Sequence, residues 1–322
     1  MPNTAAEPKP GAGRSSVETV PVTANSDLLI LAMDHRDSLL RDLYGIDGEP
    51  TETQIDTVSA HKALVFDGLL AAIDAGVDAS RVGVLVDERY GSAVASRAKD
   101  AGIDLAMPIE RSGEPLFLLE YGTFGDGEWL RHVEEFGPEQ VKVLVRDNPD
   151  GSANRTLQFD RLIAVSNALR ASGRTFLFEL LVPATPAQLE SVGSDALRYD
   201  SELRAGLTVR VIEEMQSEGI EPDIWKVEGL ESEEDARAVV RTAQSDGRSA
   251  VQCIVLGRDA PQSRVDHWLR IASTVDGFRG FAIGRSIWEK PLAGLLGGTS
   301  SESDLVRRVA ENFSHFVQAW DS

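Results

Sequence analysis

The sequence predicts a single-domain (β/α)8 (TIM) barrel, on three observations. Eight short apolar runs recur along the chain, each followed by a helix-sized segment with apolar residues at i, i+3, i+4 and i+7. The 322 residues suit one barrel of roughly 250–300 residues with a short extension. No G-x-G-x-x-G follows the first run and no G-x-x-x-x-G-K-[ST] occurs, so the common nucleotide-binding open sheets are disfavoured. A doubly wound sheet is the competitor, and the count of eight favours the barrel.

Residues 1–25, rich in Pro, Ala, Gly, Ser and Thr without periodicity, read as a disordered tail, which leaves 26–322 for the barrel. The first run, LLILAMD (28–34), ends in Asp34 with Arg36 just beyond, and an amphipathic stretch follows over 53–76. VGVLVD (82–87) ends in Asp87 and IDLAMPIE (103–110) in Glu110. VKVLVRD (141–147) carries Lys142 and Arg146, and TFLFELLVP (175–183) carries Glu179. The helical pattern LRAGLTVRVIEEMQSEG (203–219) leads to DIWKVEG (223–229), with Lys226 and Glu228. VQCIVLG (251–257) ends at Gly257, and GFAIGRSIW (280–288) contains Gly284 and Arg285.

Composition excludes several classes. A net charge of −20 argues against nucleic acid as a partner, which needs a basic face. No run approaches the ~20 apolar residues of a membrane span, and the opening residues lack a signal peptide's apolar core, so a cytoplasmic protein is expected. The lone Cys253 precludes an internal disulfide. Histidines at 35, 61, 132, 267 and 315 show no paired spacing, and only His35 falls at a strand end, so neither a metal nor another cofactor is expected. We expect a homo-oligomer that binds a small molecule.

Barrel active sites are built at the C-terminal ends of the strands. Lysine occupies only positions 9, 62, 99, 142, 226 and 290, arginine supplying the other basic groups, so a lysine within an apolar run needs a reason. In DIWKVEG, alternation places Ile224, Lys226 and Glu228 on one face and Trp225 and Val227 on the other. With Trp225 toward the helices, Lys226 points into the barrel. Desolvation or a nearby cation lowers a lysine pKa, and a neutral amine is what Schiff-base chemistry requires. Lys142 is placed to be that cation. The alternative is a structural ion pair of Lys226 with Glu179 or Glu228. Burial is expected to raise the Glu179 pKa toward neutrality and fit it for acid–base work, or Glu179 only holds a lysine. Gly257, Gly284 and Arg285 stand where barrels bind phosphate, and Arg36 and Asp87 are further candidates for substrate contact.

These motifs resemble a known family. AMDHR (32–36), VDERYG (86–91), VKVL (141–144), FELL (178–181) and WKVE (225–228) are similar to class I aldolases of the tagatose-1,6-bisphosphate aldolase type. LGRDAP (256–261), GFAIGRSIW (280–288) and Trp320 more closely resemble the 2-deoxy-5-keto-gluconate-6-phosphate aldolase domain of bacterial inositol catabolism. The likeness spans about residues 27–321. It implies Lys226 as the Schiff-base lysine, Lys142 and Glu179 as its accessory pair, Asp34 near the reacting carbonyl, and Gly284 with Arg285 on phosphate. Leu256-Gly257-Arg258-Asp259 departs from the Ser-rich turn of the tagatose type. The implied reaction cleaves a phosphorylated keto-sugar or keto-sugar acid to dihydroxyacetone phosphate and an aldehyde. Tagatose bisphosphate and sulfofructose phosphate are rival substrates, and a non-catalytic phosphosugar-binding barrel is the rival of another class.

Overall fold

Each of the eight apolar runs forms a parallel strand. In the computed structural model, which describes residues 27–151 and 154–322, they are β1 (Leu28–Ala32), β2 (Val82–Leu85), β3 (Asp104–Pro108), β4 (Gln140–Arg146), β5 (Thr175–Leu181), β6 (Ile224–Glu228), β7 (Gln252–Leu256) and β8 (Phe278–Ile283). They pair in sequence order, and β8 returns to β1 with Leu29 opposite Phe281, closing a (β/α)8 TIM barrel. The expected tail, 1–25, lies outside the described residues.

A helix follows every strand, and several of these helices carry their own start signals. Thr51 and Gln54 form a capping box ahead of Glu52–Asp74, and Ser301 with Asp304 does the same for the last helix, Glu302–Trp320. Among the described residues, no helix is long and apolar enough to cross a membrane.

Alternation along the strands divides the core in two. Ile30, Ala32, Leu85, Leu177, Ile224 and Ala282 fill the barrel interior, while Trp225, Val227 and Phe178 belong to the layer between strands and helices. Trp225 is fully buried against Phe178, ring centroids 4.8 Å apart. A buried side chain of this size contributes at least the ~1.5–3 kcal/mol typical of large apolar groups, so the face that Trp225 takes is strongly enforced. One residue on, Lys226 must then point inward. Closure between β8 and β1 depends on Gly280, whose φ of 141° and whose approach to the Leu28 carbonyl leave no space for a side chain.

Candidate active site

At the C-terminal mouth, the interior-facing strand ends surround a cavity of about 520 Å³. Asp34, His35 and Arg36 reach it from the segment after β1, Glu110 from just beyond β3, Lys142 and Arg146 from β4, Glu179 from β5, Lys226 from β6, Gly257 from just beyond β7, and Gly284 and Arg285 from just beyond β8. Charged groups dominate its floor.

Lys142 organises that floor. Its Nζ donates to Asp34 Oδ2 at 2.7 Å and to Glu110 Oε1 at 2.7 Å, and lies 3.0 Å from Glu179 Oε2. Its ammonium thus fills the point on which three carboxylates converge. Burial disfavours the charge, but those carboxylates outweigh it and hold the Lys142 pKa above its ordinary value. Glu179 bridges the two lysines, with Oε1 3.0 Å from Lys226 Nζ. Glu228 is not the partner of Lys226: it accepts from Val182 N at 2.8 Å and pairs with Arg258 at 3.0 Å and Arg204 at 3.6 Å.

The electrostatics correct one expectation. Burial does push the Glu179 carboxyl up, but the Lys142 and Lys226 ammonium groups outweigh it, so its pKa falls below the ordinary value. Asp34 is likewise held down, burial being overcome by Lys142, Lys226 and His35. Glu110 is the exception. Burial raises its carboxyl against the pull of Lys142 and Arg36, with Asp34 adding to the rise. Burial, aided by Arg285 and two lysines and opposed by Asp34, brings His35 down to about 4, which leaves a neutral imidazole. Its ring lies 5.3 Å from Trp288, edge to face.

Gly284 caps the helix Arg285–Leu296, and a Cβ there would lie 2.5 Å from the Ala32 carbonyl oxygen. Only glycine lets this helix start so close to β1. The first N–H groups of a helix have no intrahelical acceptor, and its dipole favours an anion there. Arg285 stands beside them, with Asp42 at 3.1 Å, Glu289 at 3.4 Å and Asp259 at 3.8 Å. Arg258 and Asp259, after Gly257, both have positive φ, 49° and 53°. Arg258 braces this turn through Asp200 at 2.6 Å as well as Glu228.

Two expected contact residues are otherwise engaged. Arg36 lines the cavity, yet its guanidinium donates to the Glu110 carbonyl at 2.8 Å and pairs with Glu120 at 3.3 Å. Asp87 lies outside the cavity lining. It caps the helix Glu88–Asp100 by accepting from Tyr90 N at 2.9 Å and pairs with buried Lys62. Lys62 in turn donates to the carbonyls of Met33 at 2.7 Å and His35 at 3.1 Å, on either side of Asp34. Sequence reasoning missed this support, and placed Glu110 and Arg146 at strand ends without giving either a role. The signal for Glu110 was its even spacing from the interior-facing Ala106 at the end of an apolar run.

Solved structures similar to this chain include two fructose-bisphosphate aldolases. One, from Plasmodium falciparum, is 12% identical over 93% of this chain and 92% of its own, with a TM-score of 0.56. The other, from Slackia heliotrinireducens, is 13% identical over 94% and 87%, also with a TM-score of 0.56. A structural-genomics target from Corynebacterium glutamicum is 16% identical over 88% and 85%, with a TM-score of 0.50. At these identities the likeness is one of fold. No curated protein matches the chain significantly. Residues 16–322 match the family model described as "Uncharacterized protein conserved in bacteria (DUF2090)", so the chain belongs to the DUF2090 family.

Proposed function

We propose that the protein is a class I aldolase that cleaves a phosphorylated keto-sugar or keto-sugar acid through a Schiff base on Lys226. The observation that carries this reading is the Lys226–Glu179–Lys142 array, two buried lysines joined by one carboxylate at the floor of an open cavity. Lys226 loses a proton to water in the open cavity and attacks the substrate carbonyl as the free amine, with Glu179 holding its Nζ in place beforehand. Loss of water gives an iminium, which accepts the electron pair of the breaking C–C bond. Lys142, fixed as a cation by three carboxylates, and Asp34 orient the hydroxyls beside the reacting carbon. The substrate phosphate takes the Gly284–Arg285 position, where it displaces the carboxylates now facing Arg285.

Arg146 stands at the mouth four strands from Arg285, on the opposite side of the ring. A substrate with an anion at each end fits that pair of cations. We infer 2-deoxy-5-keto-gluconate 6-phosphate, cleaved to dihydroxyacetone phosphate and malonate semialdehyde. Tagatose 1,6-bisphosphate and 6-deoxy-6-sulfofructose 1-phosphate satisfy the same two poles and are the competing substrates. The 3.0 Å Lys226–Glu179 ion pair favours one other reading, a phosphosugar-binding barrel without catalysis. Borohydride reduction in the presence of dihydroxyacetone phosphate separates them. A covalent adduct mapped to Lys226 supports the aldolase, and its absence where the ligand demonstrably binds establishes the binder. Cleavage assays on the three sugars then choose among them.

A further inference from the structure

We propose that Glu110 takes the proton from the substrate hydroxyl whose carbon departs as the aldehyde. The inference rests on the Schiff-base reading above and gives a catalytic role to a residue that the sequence placed only at a strand end and to which the resemblance assigns nothing.

Glu110 stands just beyond β3, three strands around the ring from Lys226 on β6, and so faces the nucleophile from across the cavity. Its backbone is held on both sides, with Arg111 N donating to the Leu118 carbonyl at 2.8 Å and Glu120 N to that of Ile109 at 2.9 Å. One carboxyl oxygen, Oε1, is engaged by Lys142 at 2.7 Å and Arg36 at 3.5 Å. The other, Oε2, is buried and has no hydrogen-bond partner among the described residues. A buried acceptor left unpaired costs about 1–3 kcal/mol, a cost that a substrate hydroxyl removes.

The charged groups that face Glu110 are Lys142 from β4, with Arg36 and Asp34 from the segment after β1. Their balance with burial leaves Glu110 the most basic of the three carboxylates on Lys142, since Asp34 and Glu179 are held below their ordinary values. A proton acceptor works best when its pKa approaches the working pH. The lysine nitrogen and the departing hydroxyl lie at opposite ends of a three-carbon segment, which requires the base to stand away from Lys226, as Glu110 does.

With the iminium on Lys226, Glu110 Oε2 takes the hydroxyl proton, and the O–H electron pair becomes the second bond of the aldehyde C=O. The C–C electron pair moves toward the iminium nitrogen and leaves an enamine. Glu110 later returns its proton to water, and the enamine carbon takes one from solvent. In the condensation direction, protonated Glu110 donates to the aldehyde oxygen as the C–C bond forms.

The test uses the full-length protein and Glu110→Gln. Borohydride trapping of dihydroxyacetone phosphate on Lys226, and exchange of the ligand's carbon-bound hydrogen with deuterium, need only the iminium and enamine. Both should remain within about threefold of the parent. Condensation with malonate semialdehyde or glyceraldehyde 3-phosphate, whichever the parent uses, should fall about 10²–10⁴-fold. Glu110→Asp, which keeps a titratable carboxyl, should recover part of that loss. Condensation within about threefold of the parent in Glu110→Gln overturns the proposal. A parallel loss of trapping and exchange in both variants also overturns it, since Glu110 then only supports Lys142. A parent that traps nothing at Lys226 overturns the Schiff-base reading itself, and one that traps but condenses with neither aldehyde overturns the role of Glu110.

Discussion

Lys142→Met removes one charge and leaves three buried carboxylates facing one another. At an effective dielectric constant of ~20, each ammonium–carboxylate contact near 3 Å is worth about 5 kcal/mol before desolvation. Much of that is consumed by taking the ions out of water, and removing one member of a buried pair costs about 3–5 kcal/mol net. We expect urea unfolding at about pH 7.5 to show a loss in that range.

The pH dependence is the sharper part. In the parent, Asp34 and Glu179 titrate below their ordinary values, so their stabilisation is complete above about pH 5 and is lost only as the pH falls through the native pKa values. Lys142 titrates above its ordinary value, so its contribution is complete below about pH 10 and is lost only at more alkaline pH. The parent's contribution from these three groups therefore changes little between about pH 7.5 and 5.5, while Glu110, held above its ordinary value, adds a gain on acidification that loss of the Lys142 charge enlarges. In the variant, the crowded carboxylates titrate above their unfolded values, the native state binds extra protons, and stability rises as the pH falls. The gap from the parent should close by up to about 1.4 kcal/mol per pH unit for each proton taken up. An equal deficit at both pH values, or a deficit under about 1 kcal/mol at pH 7.5, would refute the view that Lys142 neutralises this cluster.

Lys226→Arg keeps a positive charge but presents a guanidinium that is not a usable nucleophile; turnover should fall by several orders of magnitude and borohydride labelling should vanish, whereas a mere ion pair would keep most activity. Labelling at Lys142 in the parent would move the Schiff base to β4. Arg285→Ala should raise KM for a phosphorylated substrate about 10–150-fold, from a charged hydrogen bond worth ~1.5–3 kcal/mol, and leave an unphosphorylated analogue nearly unaffected. Equal losses on both would make Arg285 structural. Because the Lys142 ammonium occupies the point where the carboxylates converge, activity should survive prolonged EDTA treatment with less than about a twofold loss. A collapse reversed by Zn²⁺ or Mg²⁺ would count against the Schiff-base assignment.

The barrel was legible because each strand repeats a strong local signal, an apolar run that a helix-length pattern follows, and a period of two fixes which side chains enter the interior. Lys142, Glu179 and Lys226 were found this way, each flanked by apolar neighbours that had to face outward. What the pattern does not carry is the identity of partners from distant strands. Glu179 was expected to rise in pKa because its local sequence is apolar, yet the lysines of β4 and β6 set the direction. Asp87 shows the same limit at a strand end, where one polar residue can face the cavity or cap the next helix. Its position three residues before Tyr90, at the start of an amphipathic segment, is itself a capping signal.

Lysine usage connects these cases. Lys99 and Lys290 are exposed, whereas Lys62, Lys142 and Lys226 are buried and each touches a buried carboxylate. A compact ammonium with three donors can sit among several oxygens in a space too small for a planar guanidinium. Lys142 does this with three carboxylates, and Lys62 with Asp87 and the carbonyls of Met33 and His35. Lys62 thereby fixes the backbone on both sides of Asp34, the residue whose carboxylate meets Lys142 2.7 Å away. Asp87 therefore bears on the floor of the cavity without lining it, because it anchors the lysine that holds the segment after β1, and with it Asp34, beside Lys142 of β4.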